Sequence, residues 1–540
     1  MEKFIIKTVS SIEKIRKYTQ PKTEATSGVC FQNARHNFQL AFCSLERLRK
    51  CRVRIEGTLA DRVQMRIVED VAVKYTYVFD VNGDDDFALS QEAGLFPDIL
   101  RPYETYDLSV FPKQWNSVWL TVTGEDIPLP AGTHTLTFIV QNEDGELGRA
   151  TYTLTVLDKT LPKLDIFNTN WLHYDCLAEW YGLEVFSDRY YPLLNAYIRN
   201  MVSHGVNTLL TPLFTPPLDT GVGAERLTVQ LVDIQKQGSM YAFNFEKLDK
   251  FIDNAFALGI EKLEFSHLFT QWGGLYCPKI VAQTENGLEK IFGWETPSES
   301  AEYVAFLQAF LPALVAYIDK KGIRDKCYFH LTDEPQEKDL EKYASLRKLV
   351  KGLIGDLPVI DALSEFRFAE LVDIPVVDIS CVKNFVGKCD RFGAYYFCGT
   401  SKNAPNRFIV HPALRTRMLG YEAYLHAFKG FLHWGFNFWK TEHSVKNIDP
   451  YFVNDAGGAF PAGDPFTVYP DGNGPLDSIR NEIVSDGWTD YRELLLAQSY
   501  VGRDAVVKVL QKYGVKTVNE YVLEEENYVA MRAEILSLIP

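Results

Sequence analysis

Between residues 164 and 439, short apolar runs alternate with longer amphipathic stretches, and this alternation limits the fold more than any other feature of the chain. Strand-like runs stand at LDIFNTNW (164–171), VNTLLTPLF (206–214), KLEFSHLF (262–269) and KCYFHLTD (326–333). They continue at LPVIDALSE (357–365), PVVDISCV (375–382), FGAYYFCG (392–399) and GFLHWGFNFW (430–439). Most are separated by stretches with apolar residues at i, i+3 and i+4, several ending at glycine: 192–205, 246–259, 299–322, 338–355 and 414–430. Strands that alternate with helices pair in parallel, and eight of them suit a (β/α)8 TIM-like barrel. An open doubly wound sheet is the alternative. Its phosphate loop is missing, since neither GxGxxG after a strand nor GxxxxGK[ST] occurs.

The flanks read differently. Residues 1–160 carry period-two runs rich in Val, Thr, Tyr and Ile, such as SVWLTVTG and THTLTFIVQ. Turn signals separate them at NGDDD (82–86), PAG (130–132) and EDGE (143–146). An N-terminal antiparallel β-sandwich is expected, acting as a supporting domain. The barrel is assigned to 161–445. Residues 446–540 form a long aromatic, Gly/Pro-rich loop and helices packed on the barrel, a C-terminal loop and helical extension.

Net charge is −15, which argues against nucleic acid and anionic membrane surfaces as partners. Aromatics reach 13%, which agrees with sugar binding, because a flat ring stacks on a pyranose face. The nine cysteines form no CxxC pair, and the N-terminal stretch has no apolar segment of signal-peptide length. No later segment is read as long enough to span a membrane. These readings imply a reduced, cytoplasmic protein with an oligosaccharide or glycoside as its partner; the oligomeric state is not encoded legibly. No cofactor is implied, and no metal, because histidines at HxxxH spacing and Cys/His clusters do not occur.

If a barrel forms, its active site lies at the C-terminal ends of the strands. Those ends supply Trp, His, Asn, Asp, Glu and Tyr in abundance, the mixture a carbohydrate pocket needs. FHLTDEP (329–335) is the most pointed of them. Alone, acids before proline read as a solvated turn or the first turn of a helix. At the end of a fourth barrel strand, Asp333 and Glu334 become a candidate catalytic pair. Pro335 is expected to hold Glu334 in extended or polyproline backbone, so that both carboxyls reach one pocket. Acids this close do not readily ionise together, so one pKa rises. Ordinary retaining or inverting schemes place the two carboxyls on opposite sides of the sugar, which neighbours reach poorly. They fit substrate assistance better: a 2-acetamido group attacks its own anomeric carbon, Asp333 steadies the oxazolinium and Glu334 protonates the leaving oxygen.

HLTDEP (330–335), LHWGFNFW (432–439), DPFTVYP (464–470) and LDSIRNEIVSDGWTDYRELL (476–495) together resemble glycoside hydrolase family 123 and the broader group carrying the domain of unknown function 4091. NWLHYDCLA (170–178) and FTPPLDT (214–220) fit the same pattern. The resemblance covers roughly residues 165–500. It implies a retaining β-N-acetylgalactosaminidase that uses the substrate-assisted mechanism, with Asp333 and Glu334 as the family's adjacent pair.

Further candidates for substrate binding are Trp171, Trp272, Trp434 and Trp439 at strand ends, each weighed against packing of the barrel rim. Alternation separates Trp434 from Trp439 if the strand runs straight. His173 and Asp175 are candidates for sugar hydroxyls or for pairing with each other. His330 joins the list, although both His330 and His267 equally suit satisfied groups inside the barrel. Tyr395 and Tyr396 alternate, so one faces the pocket; Tyr396, or a neighbour in GTSKNAPNRF (399–408), is the candidate for the acetamido carbonyl. Two other functions compete: a non-catalytic carbohydrate-binding barrel, and a two-carboxylate β-glycosidase on non-acetamido sugars. The latter would draw its second acid from Asp361, Glu365 or Asp378.

Overall fold

The computed structural model describes residues 3–76, 88–90, 92–104, 107–400, 404–472 and 474–540. The NGDDD signal at 82–86 and residues 401–403 lie outside the described residues. Each of the eight strand readings overlaps a strand of one parallel sheet, the sixth strand beginning one residue before its reading. They are Phe167–Asn170, Thr208–Thr211, Lys262–Phe265, Cys327–Tyr328, Ile360–Leu363, Ile374–Asp378, Gly393–Tyr395 and Gly430–His433. They pair in ring order, and a parallel bridge between Phe329 and Val359 joins the fourth strand to the fifth, closing the barrel. Alternate residues point inward, so Phe167, Leu210, Tyr328, Ile360, Val376, Tyr395 and Leu432 fill the interior as one apolar cluster.

Helices Tyr190–Ser203, Glu246–Ala257, Ala301–Lys321 and Leu340–Ile354 follow the first four strands. After the fifth and sixth strands the chain makes only the short 3-10 turns Phe366–Phe368 and Ile379–Asn384. Ala301–Lys321 corrects one expectation: with 21 residues and a mean hydropathy of 1.5 over its most apolar 18-residue stretch, it is long and apolar enough to cross a membrane. In the fold it is a barrel helix, with Tyr303, Phe306, Leu307, Phe310, Leu311, Leu314 and Ile318 buried. The long helix Ile479–Val501 covers the eighth strand, its Trp488 ring 5.6 Å from that of Phe431. Gly420 and Gly487 allow it to approach the helix Leu419–Leu425, since a Cβ on Gly420 would lie 1.9 Å from the Gly487 carbonyl oxygen.

The N-terminal region forms two sheets of seven and five strands, mostly antiparallel, packed face to face. Phe38, Leu40, Val118 and Leu120 meet Val53, Leu136, Phe138 and Leu154 between them. The larger sheet is completed from the other end of the chain. Strands Tyr469–Asp471 and Gly474–Ser478 form a hairpin that adds its last two strands, with Ser478 opposite Ile99. Directly after it, the LDSIRNEIVSDGWTDYRELL stretch locks sandwich to barrel. Arg480 donates to both oxygens of Asp98 at 2.8 and 2.9 Å. Glu482 takes Arg66 at 2.6 Å, Asn37 at 3.0 Å and His204 at 3.2 Å. Arg417 donates to Asp490 at 2.6 and 2.8 Å and lies 3.1 Å from Asp486. A smaller sheet, Asp233–Gln237, Met240–Asn244, Ile280–Thr284 and Gly287–Phe292, decorates the barrel flank; its short, half-exposed strands carry too little alternation to stand out in the sequence.

Candidate active site

A cavity of about 790 Å³, measured out to its open mouth, lies at the C-terminal end of the barrel. Trp171 enters from just past the first strand, Leu218 and Asp219 from the loop after the second, and Gln271 and Trp272 from the loop after the third. Asp333 and Glu334 follow the fourth strand. Tyr395, Phe397 and Cys398 come from the seventh, and Leu432 and Trp434 from the eighth. The long loop beyond adds Glu442, His443 and Phe460.

Backbone strain concentrates here. Among the described residues ten non-glycine positions have positive φ, and Asp219 (39°), Trp272 (60°), Glu334 (47°) and His443 (58°) all line this cavity. Glu334 therefore does not take the extended backbone that Pro335 led us to expect. Neighbouring contacts hold it instead: its N–H donates to the Ala362 carbonyl at 3.1 Å, and Tyr395 Oη donates to its Oε1 at 2.6 Å. The Trp272 N–H donates to the Asp333 carbonyl at 2.8 Å, tying the third strand's loop to the acids.

Burial first, then the neighbouring Glu334 charge, pushes the Asp333 carboxyl well above the usual carboxylate range, while His330 acts in the opposite direction. Burial raises Glu334 too, opposed by the Tyr395 hydroxyl and reinforced by Asp378. Asp219 is raised to about 6 by burial, against the pull of His443. Its Oδ2 accepts from the His443 N–H at 3.1 Å. Trp272, 37% exposed, stands edge-on to the His443 ring at 5.7 Å, so both form the rim.

The predicted site residues divide into two groups. Trp171, Trp272, Trp434, Asp333 and Glu334 are brought together. Trp434 Nε1 donates to Asp464 Oδ2 at 3.1 Å, which explains the aspartate of DPFTVYP. The others lie elsewhere. Tyr396 is fully buried and takes Arg407 Nε at 2.8 Å on its hydroxyl, so Tyr395 is the tyrosine of the pair that faces the cavity. Trp439 is buried behind the barrel rim, 5.8 Å from Trp180, its Nε1 donating to the Val468 carbonyl. Arg226 clamps Asp175 at 2.6 and 2.8 Å and lies 3.0 Å from His173 Nδ1. His173 Nε2 is 2.9 Å from the Trp434 carbonyl, so this group supports the Trp434 wall from outside. His330 is buried beneath the acids, between Glu264 and Asp361. His267 stacks on it, and among the described residues neither of its ring nitrogens meets a hydrogen-bond partner, unlike the satisfied interior group expected.

The reserve acids are likewise spent or remote. Asp361 holds His330 and Tyr343, Asp378 caps Ser380, and Glu365 is exposed away from the cavity. Sequence reasoning missed Asp219, Gln271, Tyr395, Phe397, Cys398, Glu442, His443 and Phe460. FTPPLDT carried the signal for Asp219 at a strand end; the residues from the long loop carried none. Among the described residues, two sets of side chains bring their ligand-type atoms within 4.8 Å of one another, His267/His330/Asp361 and His204/Asp477/Glu482. In both, the carboxylates are already engaged by histidine, arginine or asparagine.

A closed parallel barrel with acids and tryptophans gathered at its C-terminal mouth defines a barrel glycosidase. The sequence profile of "Glycoside hydrolase 123, catalytic domain" matches residues 171–497, and the chain belongs to glycoside hydrolase family 123. A family 123 glycoside hydrolase from Clostridium perfringens, solved for the details of glycolipid glycan hydrolysis, is similar in fold. Its TM-score is 0.74 at 14% identity, over 99% of this chain and 97% of that one. A putative beta-galactosidase from Bacteroides fragilis is 11% identical, with a TM-score of 0.32 over 86% of this chain and 59% of that one. No protein of curated function is detectably similar in sequence.

Proposed function

We propose that the chain hydrolyses terminal β-linked N-acetylgalactosamine with retention, the sugar's own acetamido group serving as nucleophile. The observation that carries this reading is the entry of two consecutive acids, Asp333 and Glu334, into one cavity, with Tyr395 gripping only the second. Burial raises both carboxyls, and the Glu334 charge raises Asp333 further, which favours a proton on the pair. An acetamido N–H donated to Asp333 favours its charged form and leaves the proton on Glu334. The acetamido oxygen then attacks the anomeric carbon as the glycosidic bond breaks, and Glu334 gives its proton to the leaving oxygen. Water opens the oxazolinium, losing its proton to Glu334, and two inversions at one carbon give retention. Trp434 and Trp171 supply the apolar walls. The description of the Clostridium perfringens family member in terms of glycolipid glycans supports a glycan substrate.

Asp219 supports a second reading, because it is a half-buried carboxyl in the same cavity from a different loop, suited to a two-carboxylate scheme. An acetamido-oxazoline mimic separates the two. Tight competitive inhibition is expected from a site built around the oxazolinium. No inhibition, together with loss of activity in Asp219→Asn, would favour the second.

A further inference from the structure

His330 lies in the segment just past the fourth strand, three residues before Asp333, and is completely buried. Its Nε2 is 2.5 Å from Glu264 Oε1 and its Nδ1 is 3.0 Å from Asp361 Oδ1. Both carboxylates are fixed by other donors. Thr169 Oγ1 and Trp171 Nε1 bind Glu264 at 2.5 and 2.8 Å, while the Leu331 N–H and Tyr343 Oη bind Asp361 at 2.9 and 2.5 Å. A neutral imidazole donates from only one nitrogen, so it would turn a lone pair toward one of these carboxylates. Only the imidazolium donates to both, and in a dry interior that difference is large.

His267 stacks on the ring at 4.2 Å with 21° between planes. Burial, then the His330 charge, keeps it neutral, well below the usual histidine range. Near-parallel rings aim their lone pairs side by side, whereas a tetrahedral metal needs them to converge; the cluster suits a held proton better than an ion.

We propose that His330 is a positioning residue for the catalytic pair: a buried cation, locked between Glu264 and Asp361, that favours the charged form of Asp333 and fixes the strand end from which both acids project. This rests on the reading of Asp333 given above. The charged groups that act on Asp333 are Glu334 beside it, His330 three residues before it, Asp361 from the fifth strand and Glu264 from the third. Those facing His330 are Glu264, Asp361 and the neutral His267, with Tyr343 behind Asp361. His330 is thus the cation offsetting three nearby carboxyls around Asp333. Through Glu264 the same cluster holds the Trp171 wall.

Two measurements on the full chain test this. In selectively 15N-histidine-labelled protein, a ring protonated on both nitrogens is expected to persist to about pH 8, well past the ordinary histidine range. Its signal should vanish in His330→Gln, or in His330→Asn if the first variant does not fold. The absence of any such ring in the wild type would overturn the proposal without recourse to a variant. In the same variant, the acidic limb of kcat/KM should move up by about one pH unit, as expected on losing a neighbouring opposite charge. A purely structural defect would lower the whole profile and leave the limb in place, which contradicts the proposal. Asp333→Asn separates the two levels. If it is inactive while the His330→Gln limb stays fixed, the His330 inference alone fails; if it is fully active, the assignment of Asp333 fails and the inference with it.

Discussion

At the seam between sandwich and barrel, Glu482 receives Arg66, Asn37 and His204, and Arg480 and Arg417 each grip a carboxylate with two nitrogens. At the barrel mouth, Asp333 and Glu334 stand side by side, and Tyr395 is the hydroxyl that steadies one of them. Both places bury acids, and Glu482 at the seam responds oppositely to the pair at the mouth. Burial disfavours the Glu482 charge, but Arg35, Arg66 and His204 outweigh it and hold that carboxyl well below its usual range. Burial raises both acids at the mouth. The seam uses paired charge to hold two domains in register; the mouth keeps acids short of partners so that a substrate can become one. Strain follows the same division, with four left-handed non-glycine residues around the cavity.

The comparison breaks most visibly at the catalytic pair. Asp333→Asn and Glu334→Gln should each lower kcat/KM by about 10²–10⁴. Glu334→Gln should recover most with aryl glycosides of good leaving ability, and Asp333→Asn should not; a leaving-group series reads the difference. At the seam, Glu482→Gln should cost about 3–5 kcal/mol in urea unfolding, because it strands buried cations, while the folded fraction keeps its kcat. The depressed Glu482 pKa has a pH signature. Its stabilisation is fully present above the unfolded value, and is lost as pH falls through the folded one.

Asp333→Asn should act on stability in the opposite sense. A carboxyl whose folded pKa is raised makes the protein less stable as pH climbs from the unfolded value through the folded one. Removing that charge should raise Tm at neutral pH by about 1–3 °C while activity disappears. A fall in Tm would place Asp333 with the seam rather than the mouth. The smallest effect is expected at Tyr395→Phe. Loss of its hydroxyl lets the Glu334 pKa rise, so the basic limb of the rate profile should move up by less than about one pH unit.

The barrel was legible because each strand is a compact apolar run, and alternation separated Trp434, which lines the cavity, from Trp439, which does not. The hairpin completing the sandwich was not, since Tyr469–Asp471 is short and lies near the end of the proline- and glycine-rich stretch that reads as loop. At the site, sequence placed the paired acids and three of the four tryptophans at one cavity. It chose Tyr396 over Tyr395 because alternation fixes that the two diverge, not which one points inward. It passed over Asp219 although FTPPLDT marks a strand end, and it missed His443 because a loop that folds back over a barrel mouth has no periodicity to read. The tail motif was recognisable for a reason visible only in three dimensions: its Arg480, Glu482, Asp486 and Asp490 are the buried clamp, remote from the chemistry.

The claim that the substrate brings its own nucleophile has one direct test. Matched aryl β-glycosides of N-acetylgalactosamine and galactose, differing only in the 2-acetamido group, are compared by kcat/KM, with the product anomer followed by NMR. The account expects hydrolysis of the acetamido sugar with retention, and loss of about 10³-fold or more on the sugar that lacks it, the order of effect seen when a transition-state stabilising group is removed. Comparable rates on both, or release of the inverted anomer, would contradict it.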